Sequence, residues 1–264
     1  MVFGDFMHIN QLYNLKDRVA LVTGGSGLFG RQIVASLAEA GAITVMASRN
    51  TEKLKQQADQ FKAEGLDVKV APLDQSREQS IDGLRDFMLR EYGQIDVLVN
   101  NSVLRPMKAW TDPVSSFEES MKVNATGIFL MTRTFGAAMA SRGRGSIINI
   151  GSIQGCIGPD LTLYKDLTTP PPPDYFFHKG GMIQLTRYAA SVLGASGVRV
   201  NCISPGGFLF DQSEQFVKRY SDRTFLGRMA NEEDLKGIIV FLASDASAYV
   251  TGTNIPVDGG YTAK

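Results

Sequence analysis

Seven short, almost wholly apolar runs recur along this 264-residue chain, at 19–23, 42–47, 68–73, 95–99, 146–150, 198–203 and 254–257. Between successive runs lies a longer stretch whose apolar residues repeat at helical spacing: 28–40, 52–64, 78–92, 123–139, 175–193 and 232–242. A strand that is apolar on both faces must be covered on both faces, and amphipathic helices are the cover this chain offers. The order predicts an α/β fold of the Rossmann kind: one doubly wound parallel sheet of about seven strands with helices on both sides. A chain of this length buries one substantial core, so a single domain over 1–264 is expected.

Three segments break the rhythm. Residues 1–16 are a mixed aromatic and polar lead-in, expected as an N-terminal arm. Residues 161–174 carry four consecutive prolines, Pro170 to Pro173, whose fixed φ and missing N–H predict neither helix nor central strand. Residues 206–228 are polar and dotted with aromatics. The last two follow strand ends, where open α/β sheets bind ligands, so both are expected to touch substrate.

Composition removes several classes of function. With 27 basic and 27 acidic residues the formal net charge is zero, which offers no field for nucleic acid or an anionic membrane. No run approaches the ~18 apolar residues of a spanning helix. The two cysteines, Cys156 and Cys202, form no CxxC pair, and His8 and His178 are the only histidines, so no disulfide framework or metal site is expected. The expected compartment is the cytoplasm, and the expected partner a small-molecule substrate. His178 is rotated ~100° from Lys179 on a helix, which predicts a peripheral role.

Thr23-Gly-Gly-Ser-Gly-Leu-Phe-Gly30 joins the first strand to the first helix. Gly24 permits a tight turn, Gly27 close backbone approach and Gly30 close packing, while the free N–H groups and helix dipole receive a pyrophosphate. Gly24, Ser26, Gly27, Leu28 and Phe29 are therefore expected to meet a dinucleotide. At the tip of the second strand Ala47-Ser48-Arg49-Asn50 contains no acid to accept from a ribose 2′-hydroxyl. Ser48 and Arg49 can instead hold a 2′-phosphate, which favours NADP(H). NAD(H) stays open, because an arginine can also stack on adenine.

Tyr175 and Lys179 lie four residues apart, on one face if the stretch is helical. An ammonium beside a phenol favours the phenolate and makes a usable acid near neutral pH.

In order along the chain come the glycine loop, Asp74, Asn100-Asn101-Ser102-Val103, Val123-Asn124-Ala125, Ser152, Tyr175 with Lys179, Ser204-Pro205-Gly206, and Val257-Asp258-Gly259-Gly260. Together they resemble the short-chain dehydrogenase/reductase family over residues 17–261. The resemblance implies a catalytic group of Asn124, Ser152, Tyr175 and Lys179. Tyr175 would exchange the proton with the substrate oxygen and Ser152 would orient that oxygen. Lys179 would acidify the phenol and hold the nicotinamide ribose, and Asn124 would support a water-linked proton path. Two hydroxyl donors suit the negative charge that hydride transfer builds on a carbonyl oxygen. Asp74 would accept from adenine, Asn100 would pass the adenosine ribose, and Pro205 and Gly206 would wall the nicotinamide.

Three departures stand out. Leu28 occupies the middle-glycine position of the single-domain branch. Ser102-Val103 replaces the usual Ala-Gly, and the interval from Ser152 to Tyr175 is long. A similar insertion occurs in gluconate-type and nonulosonate-pathway members, which suggests a sugar, sugar acid or polyol oxidised or reduced at a secondary alcohol or ketone. Arg105, Gln154 and Tyr164 suit such a substrate. A 3-oxoacyl-thioester reductase and an inactive NADP-sensing protein are the alternatives. The family resemblance also implies a homotetramer, or else a homodimer, with 124–139 and 175–193 at a subunit face.

Overall fold

The structure, a computed structural model, describes residues 7–264. Seven strands form one sheet: β1 (Val19–Thr23), β2 (Ile43–Ser48), β3 (Val68–Pro72), β4 (Val97–Asn100), β5 (Gly145–Ile150), β6 (Val198–Pro205) and β7 (Asn254–Val257). Their order is β3-β2-β1-β4-β5-β6-β7, with every neighbouring pair parallel. The chain moves outward from β1 to β3, then returns to the other side of β1. A crevice for ligands opens at the carboxyl ends where that order reverses.

The helices are α1 (Ile9–Leu12), α2 (Leu28–Glu39), α3 (Thr51–Ala63), α4 (Glu78–Tyr92), α5 (Val114–Met121), α6 (Ile128–Ala140), α7 (Leu161–Tyr164), α8 (Pro173–Leu193), α9 (Glu214–Ser221) and α10 (Lys236–Ala243). All five residues of β1 are buried, and alternate ones serve opposite layers. Ala20 and Val22 pack with Ile33, Leu37, Ile239 and Leu242 of α2 and α10. Val19 and Leu21 pack with Ile81, Met88, Phe135 and Met139 of α4 and α6. Of the three strand prolines, Pro72 and Pro256 fall on the edge strands β3 and β7, and Pro205 is the last residue of β6, so none interrupts the middle of a central ladder. Among the described residues no helix is long and apolar enough to cross a membrane.

Four regions differ from the sequence-based expectation. The stretch 123–139 is not one helix: α5 and α6 are joined by a π-helical turn, Lys122–Gly127. A Cβ on Gly127 would lie 2.5 Å from the Gln75 carbonyl oxygen, and Gln75 Nε2 donates to the Val123 carbonyl at 3.0 Å. The widened turn is thus fitted to the segment after β3. The insertion 161–174 is also not free of helix. Asp160 caps the single turn of α7, accepting from Thr162 N at 2.9 Å. Pro173 then opens α8 at its first position, where an N–H has no intrahelical partner to lose. Residues 206–228 contain α9, capped by Ser213 and burying Phe216 and Tyr220. In the lead-in His8 caps α1, while residues 1–6 of the expected arm lie outside the described residues.

Candidate active site

The glycine loop is braced from the adjacent strand end. Gly24 sits at φ +67° and donates to the Ala47 carbonyl at 2.9 Å. Asn101 Nδ2 donates to the carbonyls of Thr23 and Gly24, both at 3.0 Å. A Cβ on Gly30 would collide with the Gly24 carbonyl oxygen and come within 2.8 Å of Gly25 backbone atoms. Gly30 is therefore what lets α2 start directly on the turn. No side chain caps that start, so its first amides remain available to an anion. Leu28, in the middle-glycine position, is 49% exposed, which is why a side chain is accommodated there.

A cavity of about 600 Å³ runs from the tip of β2 to α8. Ser48, Arg49, Asn50 and Lys53 line one end; Gly24, Ser26, Gly27, Leu28 and Phe29 line the middle with Asp74 opposite. Arg105, Ile150, Gly151, Tyr175 and Lys179 line the inner end. Lys53 is a second cation that sequence reasoning missed; its place one turn into α3, beside Arg49, was the available signal. Asp74 is partly committed, because its Oδ1 accepts from Ser76 N at 3.0 Å and Ser76 Oγ at 2.7 Å. Those bonds, led by the Ser76 hydroxyl, hold its carboxyl below the ordinary range despite burial.

Three expected cofactor residues are not on this cavity. Asn100 is fully buried and donates to Asn149 Oδ1 at 2.9 Å, bracing β4 against β5. Its neighbour Asn101 lines the cavity instead. Pro205 closes β6 and is buried, and Gly206 faces a small separate cavity of about 90 Å³ with Tyr220 and Asp258.

Of the catalytic candidates, Tyr175 and Lys179 line the inner end, and Ser152 lies behind them against Tyr175. The Tyr175 ring lies 5.7 Å from Lys179 Nζ and 4.7 Å beneath the Arg105 guanidinium. Burial pushes its phenol up, but Lys179, Arg105 and contacts from Ser152 and Arg105 outweigh it and hold the phenol below the ordinary range. Lys179 is buried and donates to the Ile150 carbonyl at 2.5 Å. Burial draws its ammonium down, with Tyr175 and Cys202 opposing and Arg105 assisting. Ser152 ends β5's extension, its Oγ accepting from Gln154 N at 3.1 Å. Gly155 brings that turn onto α8, since a Cβ there would lie 2.6 Å from the Lys179 carbonyl.

Asn124 sits in the π turn, 3% exposed and away from the cavity surface. Its Oδ1 accepts from Leu104 N at 2.8 Å and its Nδ2 donates to the Leu104 carbonyl at 2.6 Å. It thus clamps the loop that carries Arg105. His178 is not peripheral: it is 3% exposed, edge-on to Tyr175 with ring centroids 5.3 Å apart. Burial, then the Lys179 and Arg105 charges, push it down to about 3, so the ring is neutral.

The two segments expected to meet substrate pack on each other. Arg223 binds Asp160 Oδ2 at 2.6 Å and Thr162 Oγ1 at 2.8 Å, and Arg219 donates to the Lys165 carbonyl at 2.6 Å. Leu163 joins Ile153, Phe216, Tyr220 and Met229 in an apolar cluster, with Tyr164 against Phe216 at 5.7 Å. Burial pushes the Tyr164 phenol up to about 12.

A family model described as enoyl-(acyl carrier protein) reductase matches residues 26–262. The chain is 33% identical over 261 residues to gluconate 5-dehydrogenase of Gluconobacter oxydans, covering 95% of this chain and 97% of that one. It is also 33% identical over 265 residues to 2-dehydro-3-deoxy-D-gluconate 5-dehydrogenase of Bacillus subtilis, covering 97% and 99%. Among solved structures, a gluconate 5-dehydrogenase from Burkholderia cenocepacia in complex with NADP and tartrate superposes with a TM-score of 0.86. It shares 30% identity and covers 97% of this chain and all of that one.

Proposed function

The chain belongs to the short-chain dehydrogenase/reductase family and is an oxidoreductase acting on CH–OH groups, and from that premise we propose an NADP(H)-dependent interconversion of a secondary alcohol and a ketone on a sugar acid, sugar or polyol. The observation that carries this is a single cavity with Arg49 and Lys53 at one end and Tyr175, flanked by Lys179, Arg105 and Ser152, at the other.

The residues fit a dinucleotide phosphate. The Gly24–Gly30 contact leaves no room for a side chain where a pyrophosphate would lie, and uncapped α2 amides face it. Ser48, Arg49 and Lys53 suit a 2′-phosphate, with no acid at the tip of β2 to repel it. When bound, the nicotinamide supplies or accepts the hydride. In reduction Tyr175 gives its proton to the carbonyl oxygen, and in oxidation it takes one from the alcohol. Ser152 donates to the same oxygen, Lys179 stabilises the phenolate, and Asn124 holds the Arg105 loop in place.

Arg105 is the group that favours an acidic substrate, since a guanidinium on the cavity wall can pair with a carboxylate. The relatives named for gluconate chemistry, and a neighbour that binds tartrate, support the same class. Exposed Phe129, Phe177, Tyr188 and Val192 on α6 and α8 support a homo-oligomer, most simply a tetramer, which sedimentation would reveal.

The test is turnover of NADPH and NADH against 5-keto-gluconate, neutral keto-sugars and acetoacetyl thioesters. Turnover greatest with NADPH and a keto-acid sugar is expected. Activity confined to thioesters would place the enzyme with 3-oxoacyl reductases. NADPH binding without turnover on any of them would indicate a cofactor-sensing protein.

A further inference from the structure

Asp174 immediately precedes Tyr175 and is 1% exposed. Ser120, on α5, donates to its Oδ2 at 2.5 Å, and Asp174 Oδ1 has no partner among the described residues. Ser120 Oγ in turn accepts from Asn124 Nδ2 at 3.0 Å. A serine hydroxyl has one proton to give. Spending it on Asp174 leaves the lone pairs of Oγ for Asn124, and this dictates which end of the Asn124 amide faces Ser120. The same orientation sets the two-bond clamp of Asn124 on Leu104. The residue after Leu104 is Arg105, whose guanidinium lies over the Tyr175 ring. Tyr175 is joined by one peptide bond to Asp174, so the contacts close into a ring.

A buried carboxyl held by one hydrogen bond is a poor stabilising device, because its second oxygen is desolvated without return. Its value is directional. We propose that Asp174 and Ser120 are positioning residues which, through Asn124 and Leu104, hold Arg105 against Tyr175. The ring ties the loop after β4 to α5 and the first turn of α8, two helices that also meet through Phe117 and Phe177, whose ring centroids are 5.5 Å apart. This rests on Tyr175 being the acid/base residue, but its test needs no substrate.

The readout is ionisation of the Tyr175 phenol, followed by phenolate ultraviolet absorbance as the difference from a Tyr175→Phe protein. The charged and titratable groups around that phenol are Lys179 and His178 from its own helix, Arg105 from the loop after β4 and Tyr164 from α7. Tyr92, Tyr164, Tyr220 and Tyr261 are all raised, so Tyr175 titrates ahead of them. Arg105→Leu, Ser120→Ala and Asp174→Leu are each expected to raise its midpoint by about one unit, the effect of moving one neighbouring cation away. The Ser120→Ala/Asp174→Leu double variant should shift no further than either single change, because both open the same ring. Asp174→Asn keeps an acceptor oxygen and should hold the midpoint. Thermal melting confirms that each variant is folded; if Asp174→Leu is not, Ser120→Ala carries the test. An unmoved midpoint in folded Ser120→Ala, or in Arg105→Leu, overturns the proposal. Turnover in Tyr175→Phe separately judges the catalytic reading, since an active Tyr175→Phe enzyme would sink that reading and leave the titration result standing.

Discussion

Tyr175 is acidified by groups that reach it from three parts of the chain, Lys179, Arg105 and Ser152, and they differ in what the sequence could reveal. Lys179 is visible as an i,i+4 spacing. Arg105 is not: it lies 70 residues away and meets the ring only because Asn124 clamps Leu104. His178 illustrates the same limit. Helical spacing places it off the Tyr175–Lys179 face, yet burial depends on what α8 packs against, which no local pattern encodes. Its depressed basicity has a measurable consequence. Below the ordinary histidine value of 6.5 the unfolded chain takes a proton that the folded ring refuses until about 3. Stability linked to His178 is therefore full above that value and falls as pH drops through the window, by at most ~1.4 kcal/mol per pH unit. Urea unfolding between neutral and acidic pH should show this slope, and His178→Leu should flatten it. At the other end of the cavity, Arg49→Ala should weaken NADPH about tenfold or more while leaving NADH nearly unchanged, as expected for a lost charge-assisted contact to a 2′-phosphate. Equal loss for both cofactors would show that Arg49 stacks on adenine instead.

At the scale of elements, the strands and main helices were legible because parallel strands buried on both faces read as continuous apolar runs. The exceptions have physical reasons. The helix α9 was hidden by its polarity, since only Phe216 and Tyr220 of its eight residues are buried. The prolines before Tyr175 disguised a helix start, because the rule that bars proline from a helix interior does not apply at its first position. The π turn around Asn124 has no composition signal beyond Gly127, whose missing side chain is explained only by Gln75. The insertion and α9 form one wall through Arg223, so Arg223→Ala should loosen α7. Limited proteolysis within 165–172 should accelerate about three- to fivefold, the effect of ~1 kcal/mol on a local opening. Unchanged cleavage would mean that the Leu163 and Tyr164 contacts suffice alone.

The molecule as a whole separates stability from chemistry by placing them at opposite ends of the sheet. At the amino ends, buried Asp96 accepts from Val19 N at 2.8 Å and lies near Arg142 at 3.4 Å. Asp96→Ala should cost about 2–3 kcal/mol in denaturant unfolding by leaving the buried Val19 amide unpaired, with kcat retained below the new melting point. At the carboxyl ends, the loops after β1, β2, β3, β4 and β5 and the helix α8 line one cavity with the groups proposed to bind cofactor and exchange the proton. The order of those motifs was plain in the sequence. Which neighbour faces the cavity was not, as Asn100 and Asn101 show, because a one-residue change along a strand end reverses the side chain's direction. The proposed chemistry rests on Tyr175 as the proton-exchanging residue in that cavity. The direct measurement is steady-state turnover and NADPH affinity of Tyr175→Phe. Turnover should fall about a thousandfold with NADPH affinity within about threefold of the unmodified enzyme. Turnover within tenfold of the unmodified enzyme would contradict it.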